Sequence, residues 1–277
     1  MRILSWSHAV FAATMIALGV FALTKGNFPS TWTGVPRGMP LREAFIYLTA
    51  LISLGCGVGL FWRRTAVVAA RVLLAAFLMW LFLFRAPQIF SAPAAIGTWW
   101  GLGDTAVMIA AVWVLYAWLT ADGNARRLNF GGGDKGLLIA RVFYGLALIP
   151  FGVAHFTNLN DTVVLIPHWL PWHVSWAYFT GGAFIAAGIA VLTGVFARLG
   201  TTLSVWELGL ITLIVWVPIV STGAATPFQL TEFVTSCVLT AGAWVVADSY
   251  RGTPWLAAGK LRLPLTTLNR RDSLTMR

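Results

Sequence analysis

The sequence predicts an all-α, polytopic membrane protein that crosses the bilayer eight times, its helices arranged as two tandem four-helix bundles. Three observations lead there. Hydrophobic residues make up 58% of the 277 positions and charged residues only 10%, where a soluble domain carries about 25% charged residues. The apolar residues gather into eight runs of the length that spans a bilayer, about 20 residues in a helix. The basic residues gather into short segments between those runs. The net charge of +10 therefore reads as cytoplasmic loop charge, and nucleic acid is rejected as a partner.

The runs lie near 7–24, 44–62, 66–84, 104–120, 137–154, 174–195, 200–218 and 231–247. The first follows Met1-Arg2 and resembles the core of a signal peptide, but no small-residue cleavage site follows it, so it counts as a span. With eight spans, one side of the membrane holds Arg2, Arg63, Arg64, Arg126, Arg127, Lys135, Arg198, Arg251, Lys260, Arg262, Arg270, Arg271 and Arg277. The other holds Lys25, Arg37, Arg42 and Arg85. That asymmetry places both termini in the cytoplasm. The expected location is a cell membrane, the bacterial inner membrane.

The stretch from Asp122 to Lys135 is glycine-rich and charged, and marks a linker. The chain then divides into a first membrane unit at 1–121, a cytoplasmic linker at 122–136, a second unit at 137–248 and a basic cytoplasmic tail at 249–277. The two units look alike. Pro36 and Pro40 precede span two as Pro167 and Pro171 precede span six. At the same offset, 131 residues, Tyr47 matches Tyr178, Thr49 matches Thr180, Gly57 matches Gly188 and Pro87 matches Pro218. Four spans per unit make the repeats parallel, which weighs against an inverted-repeat transporter.

Cys56 and Cys237 each stand alone in an apolar run, and no C-x-x-C occurs. Thiol redox chemistry and a disulfide framework are both disfavoured. Glycines such as Gly55, Gly57 and Gly59 suit close helix approach in a bundle. The many tryptophans, Trp62, Trp99, Trp100, Trp118 and Trp176 among them, suit interfacial belts.

The second unit carries Arg141-x-x-x-Gly145, then Phe151-Gly152-x-x-His155-Phe156, a loop with Pro167 and Pro171, Thr180-Gly181-Gly182, Ala186-Ala-Gly188 and a basic turn at Arg198. This pattern resembles the DoxX-like family of four-helix membrane proteins, which includes the DoxD-type subunit of thiosulfate:quinone oxidoreductase. The resemblance covers about residues 137–247 and reaches 7–120 through the repeat. It implies a four-helix bundle and, for some members, electron transfer to membrane quinone. The chain departs from the family in holding two units. It also has Val174-Ser-Trp176 where the family often carries an acidic residue.

Glu207 falls inside span seven and Arg71 inside span three. A charge at that depth costs about 2.5–3.5 kcal/mol on insertion scales and is normally paired or functional. Arg71 and Glu207 are expected to meet between the units, as a static ion pair or as a proton or quinone-headgroup site; snorkelling of Arg71 is the alternative. His155, His168 and His173 gather around the loop between spans five and six, with Asp161 as the loop's carboxylate. Three readings stand for them: a metal or haem ligand set, a proton exit for quinol oxidation, or interfacial anchors among tryptophans. Their spacing matches no metal motif. Asp104 and Glu232 are expected in the first turns of spans four and eight, complementing the helix dipoles. Lys25, Arg37 and Arg42 form a basic patch that, on the family resemblance, suits an anion such as thiosulfate.

Three functions follow: a quinone-interacting oxidoreductase subunit, a non-enzymatic scaffold within a membrane complex, or a small-solute transporter. No cysteine pair, dinucleotide motif or recognised haem pair occurs in the sequence, so the first requires a bound quinone or protein partners.

Overall fold

Eight helices long and apolar enough to cross a membrane make up the computed structural model, which describes residues 5–121 and 132–258. They are α1 (Trp6–Lys25), α2 (Arg42–Leu60), α3 (Arg64–Ser91), α4 (Ile96–Ala121), α5 (Gly133–Thr157), α6 (His173–Thr193), α7 (Ala197–Ser221) and α8 (Pro227–Asp248). A 3-10 turn at Ser30–Trp32 and a short helix at Leu159–Leu165 lie in two of the connections. No strand occurs among the described residues. Most of the linker read at 122–136 lies outside the described residues, as does the tail beyond residue 258.

Local chemistry sets the helix ends. The Ser5 side chain accepts the His8 amide at the start of α1, and Gly26 closes it in the left-handed region. Thr226 and Gln229 form a reciprocal capping box on α8, with Pro227 at its first turn. α4 begins eight residues before its expected start at 104, and α8 four before 231. α3 and α7 each contain a π-helical turn, at Leu81–Arg85 and Thr212–Trp216, followed by Pro87 and Pro218. Proline has no amide hydrogen for the α ladder, and the wider turn absorbs that loss without ending the helix.

The backbone repeats itself 131 residues apart. Leu41 and Trp172 both adopt the left-handed conformation just before α2 and α6. Both π turns keep the offset, and so do the starts of α4 and α8. α1 and α5 are related by an offset of 133: a Cβ on Gly19 would meet the backbone of Ala50 and Leu54, and one on Gly152, 133 residues on, would meet Gly181 and Ile185, the counterparts of Ala50 and Leu54.

The two four-helix units interlock. α1 packs along α2 and against α8, and α5 packs along α6 and against α4. α4 and α8 pack on each other. The last helix of each unit thus lies against the first helix of the other. α4 is the core of the assembly: eighteen of its 26 residues are buried, and it is apolar all round, as a buried helix must be. α3 and α7 expose matched apolar stripes, Val72, Met79 and Phe82 on one and Leu203, Leu210 and Leu213 on the other. In a bilayer such stripes face lipid.

Candidate functional site

The start of α1 and the end of α8 share one face, the termini face, where the Ser7 hydroxyl donates to Asp248. The candidate site lies toward the opposite face, in the seam between the units. It is a cavity of about 110 Å³ lined by Trp100, Asp104, Phe151, His155, Phe184, Trp216, Glu232, Thr235 and Ser236, among others. Ligand sites for drug-sized molecules run about 300–1,000 Å³, so this one suits a small solute or one ring of a larger molecule.

Asp104 comes from α4 and Glu232 from α8, one acid from each unit. Neither occupies a first helical turn, so the expected dipole role does not hold for either. Because α4 starts at Ile96, Asp104 lies about 12 Å along it, at 1.5 Å per residue. Asp104 is 2% exposed, and its Oδ1 has no hydrogen-bond partner. Glu232 accepts a hydrogen bond from the Ser30 hydroxyl at 2.8 Å, which joins α8 to the connection between α1 and α2. Thr235, one turn on, is buried with its Oγ1 also unpartnered.

Arg85 is a charged neighbour of Asp104 but does not line the cavity. It sits in the π turn of α3 and is 3% exposed. Its guanidinium donates to the Ser30 carbonyl, to Thr33 Oγ1 at 2.8 Å and to Thr105 Oγ1 at 3.3 Å. Arg85 and Glu232 are the charged neighbours acting on Asp104. The only ion pair within 4 Å among the described residues joins Arg251 to Asp248. Arg85 is therefore held by neutral acceptors, and the acids are left facing the cavity.

His155 ends α5. Its Nδ1 donates to the Phe151 carbonyl at 2.8 Å, so a neutral ring carries its acceptor lone pair on Nε2. The ring lies 5.6 Å from Phe184, and Phe184 lies 6.1 Å from Phe151. Site lining thus combines a base, two carboxyls and several aromatic faces.

The other residues singled out from the sequence lie elsewhere. His168 in the loop and His173 at the first position of α6 stay together, their rings 6.3 Å apart, and His173 donates to the Pro167 carbonyl at 3.1 Å. Neither lines the cavity. Asp161 is exposed, and among the described residues no hydrogen bond joins it to a histidine. No three His, Cys, Asp or Glu residues among those described converge as a metal site. Arg71 and Glu207 do not meet. The Arg71 guanidinium lies 5.9 Å from the Tyr116 ring on an exposed face of α3, and Glu207 points inward with its Oε1 unpartnered. The reason is topological: α3 packs on α2 and α4, and α7 on α6 and α8.

At the termini face the start of the tail is pinned. Arg141 donates to the Ser249 carbonyl and stacks 3.9 Å over the Tyr250 ring. Arg198 donates to the Thr253 carbonyl at 2.8 Å and lies 4.0 Å over Trp255. Burial pushes the Tyr250 phenol up to about 12, the Arg141 guanidinium pulling the other way. It remains a neutral hydroxyl near physiological pH.

No protein-family model, curated protein or solved structure matches this chain. Membrane integration follows from the eight apolar helices; the function has to be argued from the cavity. Arg85, Asp104, Glu232 and Thr235 were not singled out as site residues from sequence. One signal was present: Thr226-Pro-x-Gln229 is a capping box with proline at the first helical position, and it places the start of α8 ahead of Glu232.

Proposed function

We propose that the chain is a DoxX-like, quinone-interacting subunit of a membrane oxidoreductase, with the seam cavity taking the quinone headgroup. The observation that carries this reading is the meeting of Asp104, Glu232 and His155 around an aromatic-lined cavity. A quinone headgroup is a flat apolar ring with two carbonyl oxygens that take up protons on reduction. The residues present fit it. Two carboxyls from opposite units can each hold or release a proton at an oxygen. His155 can accept one at Nε2. Phe151, Phe184 and Trp216 offer ring faces and exclude water, and the unpartnered oxygens of Asp104 and Thr235 leave hydrogen-bonding capacity unused inside the protein.

A bound quinone would supply the two-electron chemistry that the side chains here do not. Asp104 and Glu232 would exchange its protons, and Arg85 would limit the repulsion between the two acids while held on Ser30, Thr33 and Thr105. The electron partner belongs to another subunit on this reading. The asymmetry of Lys and Arg puts the termini in the cytoplasm and the cavity toward the outer side of a bacterial inner membrane.

The test is binding of a short-chain ubiquinone analogue, followed by quenching of tryptophan fluorescence, since Trp100 and Trp216 line the cavity. Saturable quenching that weakens in Asp104→Asn and in His155→Ala supports the reading. Quenching that does not saturate, or that is the same in both variants, overturns it.

A further inference from the structure

The duplication provides an internal control. Positions 131 residues apart hold equivalent places in the two units, so a buried polar residue in one unit can be judged against its counterpart in the other. Along α7 and α8 the second unit buries Ser204, Glu207, Thr212 and Thr240 wholly or in part. Their counterparts in the first unit are Leu73, Ala76, Leu81 and Ile109, all buried and all apolar. Tyr144 of α5 corresponds, at the offset of 133 that relates α1 to α5, to Phe11. The fold therefore closes well with hydrocarbon at these places. Ser204, Thr212 and Thr240 each donate to a carbonyl one turn back on their own helix, as hydroxyls do in membrane bundles. Glu207 Oε1 has no partner, and an ionisable group inside a membrane bundle is expensive, so packing does not account for Glu207 in one unit only.

These polar residues form a column. It starts at the cavity, where Ser236 bonds to Thr212 at 2.6 Å and Thr212 lies 3.2 Å from the Thr240 hydroxyl. Glu207 follows, about a turn and a half nearer the termini face, with Oε1 buried and unpartnered. Next comes the Tyr144 hydroxyl, bonded to Ser204 at 2.7 Å. Glu207 and Tyr250 are the ionisable neighbours that act on Tyr144. The column reaches the termini face at Tyr250, whose buried hydroxyl is also unpartnered, beneath the Arg141 guanidinium. Asp104, Thr235, Glu207 and Tyr250 supply four of the eight buried side-chain atoms that lack a partner among the described residues. Such atoms are normally satisfied by ordered water.

We propose that α5, α7 and α8 enclose a proton path from the seam cavity to the termini face, with Glu207 as its central proton-holding group and Tyr144 as the adjoining relay. Each hop breaks one O–H bond and forms another on the next oxygen. Water bridges the intervals between Thr240, Glu207 and Tyr250, and the path is restored when its hydroxyls turn back. The first unit, apolar at the counterparts of Tyr144, Ser204, Glu207, Thr212 and Thr240, carries no such path. The inference deepens the quinone reading by naming the route of its protons, but its test needs no quinone.

Purified protein is reconstituted in phosphatidylcholine–phosphatidylglycerol vesicles holding a pH-sensitive dye. A potassium gradient with valinomycin then drives protons inward. Flux above that of protein-free vesicles is expected for the wild type and for Arg71→Gln, which lies off the path. Glu207→Gln should return the flux to the protein-free level, Glu207→Asp should retain part of it, and Tyr144→Phe should reduce it. Wild-type flux equal to that of protein-free vesicles, or flux unchanged by Glu207→Gln, overturns the proposal. If Glu207→Gln does not elute as folded protein, Tyr144→Phe decides the matter by the same criterion. Quinone binding is read on the same preparations, so intact flux without binding sinks the cavity reading alone, and intact binding without flux sinks the path alone.

Discussion

The guanidinium of Arg85 fills the space that a side chain at Gly101 would need: a Cβ built there would stand inside its terminal nitrogens. The two residues lie on neighbouring helices, α3 and α4, and the missing side chain lets a buried arginine reach the Ser30 carbonyl and the Thr33 and Thr105 hydroxyls. Gly101→Ala should expel the guanidinium and leave those acceptors unmet, a loss of about 1–3 kcal/mol for overpacking. Gly55→Ala meets nothing within 4 Å and should stay within about 0.5 kcal/mol of wild type. Thermal unfolding in detergent compares them; equal melting temperatures would argue against a packed Arg85.

Glu232 ties α8 to the connection between α1 and α2 through Ser30. Glu232→Gln keeps an acceptor for that hydroxyl and should unfold near the wild-type temperature. Glu232→Ala removes it and should cost about 1 kcal/mol, the net worth of one hydrogen bond. A larger loss in the glutamine variant than in the alanine variant would contradict this account.

Arg71 and Glu207 occupy separate surroundings, one over Tyr116 and the other turned inward. Their substitutions should therefore be additive. In a double-mutant cycle of Arg71→Ala and Glu207→Ala the coupling should be no more than about 0.5 kcal/mol, as for distant sites. A coupling of several times that would restore the ion pair between the units.

The segment from Ser249 to Ala258 is clasped by two stacked arginines, Arg141 on Tyr250 and Arg198 on Trp255. Arg198→Ala should speed tryptic cleavage after Arg251 by roughly fivefold, the equilibrium effect of about 1 kcal/mol of cation–π contact when cleavage follows local opening. Gel analysis of a digestion time course measures this. Unchanged rates would mean that the Phe196–Ala257 backbone bond at 2.9 Å holds the segment by itself.

The membrane class, the eight spans and the 131-residue periodicity were legible in the amino-acid order because each is a local property. Apolar run length, loop charge and repeated Pro and Gly positions need no knowledge of what packs on what. Hydropathy placed the starts of α1, α2, α3, α6 and α7 within one to three residues, but it began α4 at residue 104, beyond the apolar-aromatic turns around Trp99 and Trp100, and so cast Asp104 as a first-turn acid. His155 was found from sequence. It was grouped, though, with His168 and His173, which are its neighbours along the chain and which the cavity does not include. Only the tertiary structure decided that Asp104 and Glu232 face one cavity with His155, that Arg85 lies above Gly101, and that Arg71 and Glu207 stay apart. The physical reason is the interlocking of the units. α4 and α8 lie far apart in sequence, and their contact is set by how two similar bundles share helices, a choice that apolar periodicity on each helix leaves open.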